Sequence, residues 1–224
     1  MEQTLKEKLK YWQFVLYVPI YMPFFFLAEK MTHDVTYINI PLDDCIPFVE
    51  GFIIPYLLWF PFMAVAIAYV FFKDKKEFFA MCWHLIIGMS LFIVVSFVFP
   101  NGLQLRPTGF PRDNFCTDLV KYLYSIDTST NVIPSIHVFN SLACGISFGR
   151  VLWKRGHKIT AIASYTMAAL ICVSTMFVKQ HSVVDVAAGL LLSGCCFFLL
   201  RRLYKNEADD RATTYKAPVA YRTV

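Results

Sequence analysis

Charge is what this sequence has least of. Asp, Glu, Lys and Arg together make 17% of it, where a soluble domain carries about a quarter. That scarcity excludes a water-soluble domain and, with it, nucleic-acid binding. The net charge of +5, which in a soluble protein would suggest an acidic partner, is explained here by cytoplasmic anchoring. Internal repeats are absent. No small-residue cleavage site follows the first apolar run, so that run is expected to be kept as a span rather than removed as a signal peptide. The seven cysteines show no metal-ligand spacing. Cys82, Cys144, Cys172, Cys195 and Cys196 fall inside apolar runs, where Cys acts as a small hydrophobe. Cys45 and Cys116 lie in connecting segments assigned to one side, and a disulfide between them stays open beside two free thiols.

Apolar sequence is what the chain has instead: 57% of residues are hydrophobic and the mean hydropathy is +0.51. The expected fold class is all-α, an integral membrane bundle of six transmembrane helices. The spans fall near residues 11–27, 46–72, 78–99, 135–153, 159–178 and 182–200. Pro55 and Pro61 interrupt the second, which membrane helices tolerate when neighbours satisfy the freed carbonyls. Residues 1–10 read as an N-terminal segment, 11–200 as the membrane domain and 201–224 as a polar tail. The longest polar connection, 103–133, is of a length that is often functional. Lysines and arginines gather in the N-terminus, at 73–76, at 150–158 and at 201–205. With six spans these all fall on one face, which the positive-inside rule places in the cytoplasm with both termini.

The opposite, extracytoplasmic face then collects the unusual residues. His181 and Asp185 stand four apart at the start of the sixth span, on one helical face, where an Asp can fix a histidine's tautomer and stabilise its cation. Two readings follow: a nucleophilic or acid–base histidine, or a helix cap. At the start of the fourth span, Pro134 suits the first helical position. The amides of Ser135, Ile136 and His137 would then lack intrahelical partners and form an anion site. Arg106 could grip phosphate oxygens in bidentate fashion and His137 could deliver a proton. Two His, one Asp and one Arg on one face favour function over anchoring. His84, mid-span, reads as a helix–helix hydrogen bond, and Gly145-x3-Gly149 as a close-packing motif.

These residues resemble the type-2 phosphatidic acid phosphatase superfamily of six-span lipid phosphatases and phosphotransferases, over roughly residues 99–194. Its three signatures correspond to Arg106-Pro107, to Pro134-Ser135-Ile136-His137, and to Ser174 through His181 to Asp185. Three positions depart: Phe99 stands for the first-signature Lys, Ile136 for a Gly and Thr175 for the third-signature Arg. Lys179 and Arg112 lie near enough in sequence to replace the missing cations.

The resemblance implies a two-step displacement at the outer face of the cell membrane. His181 attacks phosphorus, Asp185 orients it, and His137 protonates the departing oxygen and then activates the incoming hydroxyl. Arg106, Ser135 and the first-turn amides hold the equatorial oxygens. The substrate is a lipid phosphate, and no cofactor or metal is implied. Ile136 and the Ser174-Thr175 pair are similar to the inositol phosphorylceramide synthase branch, so a headgroup phosphotransferase is the alternative to a hydrolase. A non-catalytic binder or transporter of phosphorylated lipids is the third reading. Membrane lipids are the expected surroundings, a homo-oligomer is compatible, and nucleic acid is not a partner.

Overall fold

The computed structural model describes residues 2–30 and 35–215, with side chains from 11, 13–30 and 35–204. All six expected spans are helical. They are α1 (Glu2–Lys30), α3 and α4 (Ile53–Leu57 and Trp59–Lys73), α5 (Lys75–Val98), α7 (Ile136–Lys154), α8 (Lys158–Phe177) and α9 (Val183–Tyr215). α2 (Pro41–Asp44) and α6 (Phe115–Ile126) lie in the connections. Residues 2–10 form the start of α1, and α9 carries the expected polar tail as helix to residue 215; 1 and 216–224 lie outside the described residues.

Among the described residues, four stretches are long and apolar enough to cross a membrane: Glu50–Lys73, Lys75–Val98, Lys158–Phe177 and Val183–Tyr204. Side chains such as Val98, Ile159, Leu191 and Phe198 point outward from them, an uncovered apolar surface too extensive for water. α7 is different. It carries Asn140, Ser141, Ser147 and Arg150, and twelve of its residues are buried. It forms the centre, packed on α8, α4, α5 and α9. The Gly145-x3-Gly149 motif sits where α7 meets α8: a Cβ at Gly145 would lie 2.6 Å from the Cβ of Ala168, and one at Gly149 would lie 2.4 Å from the Tyr165 ring. Glycine there lets the backbones approach, and packing at close range is what joins helices in lipid.

The second span is interrupted at Leu58, between α3 and α4. Pro61 has no N–H to offer the Leu57 carbonyl, so the ladder loses a rung there. His84 of α5 bonds Ser193 of α9 through Nε2 at 3.1 Å, the helix–helix contact expected of it. The all-α class fits, with two additions to the sequence reading. A two-residue parallel ladder, β1 (Thr36–Tyr37) with β2 (Asn101–Gly102), joins two connections. The 103–133 connection also contains an amphipathic helix: in α6, Thr117, Val120 and Leu123 recur every three residues and are buried, the last two beside Ile53, Tyr56 and Val178. Asn114 caps it by accepting from the Thr117 amide at 3.0 Å. Cys45 and Cys116 are free thiols, Cys45 exposed at the end of α2 and Cys116 against the α6 cluster.

Candidate active site

The site is built where two helices begin and one ends. α8 stops in a Schellman motif: Gln180 N–H donates to Thr175 O and Lys179 N–H to Met176 O, both at 3.0 Å. The motif needs a left-handed residue, normally glycine, and Lys179 fills it with φ 54°. That conformation costs a non-glycine residue about 1 kcal/mol. The Lys179 ammonium offsets it by donating to the carbonyls of Asp43 and Ile46. The reversal places His181 in the turn ahead of α9, not on the helix itself. Its amide donates to Thr175 O at 3.1 Å.

α9 begins with a capping box. Ser182 Oγ accepts from Val184 N–H at 3.1 Å, and Asp185 Oδ2 accepts from Ser182 N–H at 2.9 Å. The other oxygen, Asp185 Oδ1, meets His181 Nδ1 at 2.9 Å. The cap and the chemical pair are therefore the same carboxylate, one oxygen each. Asp185 is fully buried and His181 6% exposed, so the pair is shielded from competing water. With Nδ1–H directed at Asp185, the lone pair of His181 lies on Nε2. That atom is 3.1 Å from His137 Nδ1. Accepting there makes His137 Nδ1 the proton carrier. Tyr56 and Trp59 hold the His137 ring, with centroids 4.9 and 4.4 Å away.

α7 enters beside this pair because Asn101 holds the preceding chain: its Oδ1 accepts from Val132 and Ile133 N–H at 2.9 and 3.0 Å. Ser135 is the N-cap, accepting from Val138 N–H at 3.4 Å. Pro134 thus precedes the cap instead of occupying the first helical position. The Ser135 amide is not free either, because it donates to Asp185 O at 3.1 Å. The amides of Ile136 and His137 remain in the first turn, where intrahelical acceptors are lacking. Gly189 permits this approach of α7 to α9: a Cβ there would lie 2.9 Å from Ser135 O.

Arg106 reaches the site by another route. Its guanidinium lies over the Tyr124 ring at 4.5 Å. It donates to Tyr124 O, Asp127 O and Gln180 Oε1 at 3.1, 2.9 and 2.9 Å. Its buried Nε has no hydrogen-bond partner among the described residues. A buried orphan donor on a cation is costly, and an anionic oxygen would satisfy it. Arg112 is engaged away from the histidines. It is 65% exposed and its Nε pairs with Glu50 Oε1 at 2.9 Å. Thr175, at the missing Arg position, is buried and donates to Cys172 O. No group of three or more His, Cys, Asp or Glu suited to a metal occurs among the described residues.

Three contributors escaped sequence reasoning. Asp43 is 1% exposed; its Oδ1 accepts from Val183 N–H at 2.8 Å and its Oδ2 from the Ser182 hydroxyl at 2.7 Å. It therefore anchors the start of α9 from 140 residues away. Gln180 bridges Arg106 to Asp127, donating to Asp127 Oδ2 at 3.1 Å. Tyr56 is the third, packed against the His137 ring. The only sequence signal was that acids and amides stand beside apolar runs.

Burial raises the Asp127 pKa, with the nearby His181 and Arg106 charges opposing the rise. A carboxyl with a raised folded pKa binds more protons folded than unfolded. Its contribution is fully present below the unfolded value of about 3.9 and is lost as pH rises through the folded one. The melting temperature of the wild type relative to Asp127→Asn should therefore fall as pH goes from acid towards neutral, measured in detergent. A flat difference across that range would refute the assignment.

No match was found among curated proteins or among solved structures. The family model of the PAP2 superfamily matches residues 82–209, which take in His137, His181, Asp185 and Arg106. With more than half of its length matched, this chain belongs to the PAP2 superfamily, whose members are phosphatases and phosphotransferases of lipid phosphates.

Proposed function

We propose that the protein is a lipid phosphatase that works through a phosphohistidine. The observation that carries this is the relay Asp185–His181–His137, with successive contacts of 2.9 and 3.1 Å. The two imidazole nitrogens are too close for a phosphorus atom between them, so a substrate phosphate enters by separating them. His181 Nε2 then attacks phosphorus, forming the N–P bond as the P–O bond to the lipid breaks. The His137 Nδ1 proton passes to the departing alkoxide. In the second step His137 takes a proton from water, the hydroxide attacks phosphorus, and phosphate leaves with His181 restored. Arg106 Nε and the Ile136 and His137 amides stabilise the equatorial oxygens, where charge accumulates.

The basic segments gathered at 73–76, 150–158 and 201–205 support a site at the extracytoplasmic face of the cell membrane, with residues 1–10 and 201–224 in the cytoplasm. The substrate is a membrane lipid phosphate that reaches the site between helices. An alcohol in place of water would make the enzyme a headgroup phosphotransferase. The test incubates purified protein with lipid phosphates, diphosphates and phosphodiesters, with and without alcohol acceptors. Phosphate release without acceptor is the expected result; product only with acceptor would replace hydrolase by transferase. Saturable binding without product would leave a non-catalytic binder.

The cations can be ranked. Arg106→Ala should lower kcat/KM about 10²–10³-fold, the size of losing one donor to a developing oxyanion. Lys179 and Arg112, the two substitutes for the missing signature cations, already serve the Asp43 and Ile46 carbonyls and Glu50. Their alanine variants should each cost less than Arg106→Ala in the same assay. A larger loss at Lys179 would move the phosphate-binding role to it.

A further inference from the structure

A concave feature of the molecule lies at the other end of α7. Arg150 is thirteen residues beyond His137 on that helix, about 20 Å along its axis. There a cavity of about 630 Å³ opens between the start of α5, the end of α7 and the later turns of α9. The cations Lys76, Arg150, Lys154, Arg201 and Arg202 line it, against only two carboxylates, Asp74 and Glu77. Those carboxylates hold Arg150 and Lys154: Arg150 Nε lies 3.1 Å from Glu77 Oε1, and Lys154 Nζ 3.2 Å from Asp74 Oδ2. Arg201 and Arg202 have no carboxylate partner among the described residues. Arg201 instead lies over the Phe197 ring at 5.2 Å.

We infer that this cavity binds a phosphorylated polyol headgroup, at a site separate from the two histidines. The excess of cations calls for an anion. Guanidinium forks match the paired oxygens of a phosphate, which a lone ammonium does not. Each Asp74 and Glu77 oxygen meets one donor or cation of the protein, and its second lone pair can accept from a hydroxyl group, so a polyol phosphate fits better than bare phosphate. Basic pockets between membrane helices hold lipid headgroups by this combination. Phe198, Leu199 and Leu203 are exposed beside the cavity on α9 and offer a path for acyl chains. Basic helix ends also anchor membrane proteins without any site. The concavity is what an anchor does not need, and the test turns on it.

The full chain carrying His181→Ala, which prevents turnover, would be placed in phosphatidylcholine nanodiscs. It would be titrated with dioctanoyl phosphatidylinositol 4-phosphate, and separately with inositol 1,4-bisphosphate. Saturable binding of the lipid alone assigns the site to a membrane headgroup; binding of both shows that the headgroup suffices, and either supports the inference. Arg201→Gln/Arg202→Gln should weaken binding about tenfold or more by removing two charge-assisted contacts. Ala80→Trp, which fills the cavity and keeps every charge, should do the same. Arg106→Ala, which disables phosphate binding at the histidines, should leave the affinity of the Ala80→Trp-sensitive site unchanged. Binding lost with Arg106→Ala alone, binding insensitive to Ala80→Trp, or no saturable binding of either probe would overturn the inference.

Discussion

Replacing His181 with alanine should abolish phosphate release, by about 10⁴-fold or more in kcat, because the substitution removes the atom that forms the new bond. The residue is not needed to hold the fold at that level. Its amide bond to Thr175 O survives the change, and Asp185 keeps its contact with the Ser182 amide. Activity and stability should therefore separate: near-complete loss of turnover with a modest drop in melting temperature. The same protein offers a second readout. Labelled substrate quenched in alkali should leave phosphate on the wild-type chain and none on His181→Ala, since a phosphoramidate survives base and is lost in acid. Turnover near the wild-type level in the variant would sink the covalent mechanism.

Asp185→Asn should lower kcat by about 10³–10⁴-fold, for a reason visible in the geometry. The carboxylate accepts from two donors, His181 Nδ1 on one oxygen and the Ser182 amide on the other. An amide has only one oxygen. If it faces Ser182, its NH2 faces His181 Nδ1, which must become an acceptor; the proton then moves to Nε2 and the attacking lone pair is gone. If it faces His181, its NH2 meets the Ser182 N–H and the α9 cap is lost, a cost of about 1 kcal/mol. Either orientation damages the enzyme. The outcome is read from kcat together with the melting temperature, and a pH–rate profile would show the tautomer effect as a loss that no pH restores. Normal kcat with lowered stability would reduce Asp185 to a cap.

The site's dependence on distant residues sets the pattern for other changes. Asp43 holds the two residues that follow His181, and Gln180, which precedes it, joins Arg106 to Asp127. His181 is thus held from both sides in sequence, by chain segments before the first signature and after the second span. A nucleophile fixed this way needs little reorganisation when phosphate arrives, which is where electrostatic catalysis gains most.

Several things about this protein were determined by sequence alone. The positions of the helices, the packing glycines at 145 and 149, the His84 contact between helices and the convergence of His137, His181, Asp185 and Arg106 all follow from period and composition, which depend on neighbours along the chain. What the tertiary structure decided depends on neighbours in space. The Asp185 side chain serves as cap and as histidine partner at once because two oxygens face two donors. Lys179 and Arg112, plausible phosphate ligands by proximity in sequence, are held by Asp43 and Ile46 carbonyls and by Glu50. α6 was hidden in a polar connection because its apolar stripe is short and broken by Lys121 and Asp118. Asp43 could not be picked out at all, since nothing local distinguishes a loop aspartate from one buried against a helix 140 residues away. The pair at 181 and 185 was legible from its four-residue spacing, although His181 lies in the turn ahead of α9 and not on the helix; its partners were not, because hydrogen bonds between remote segments leave no periodic trace in the chain.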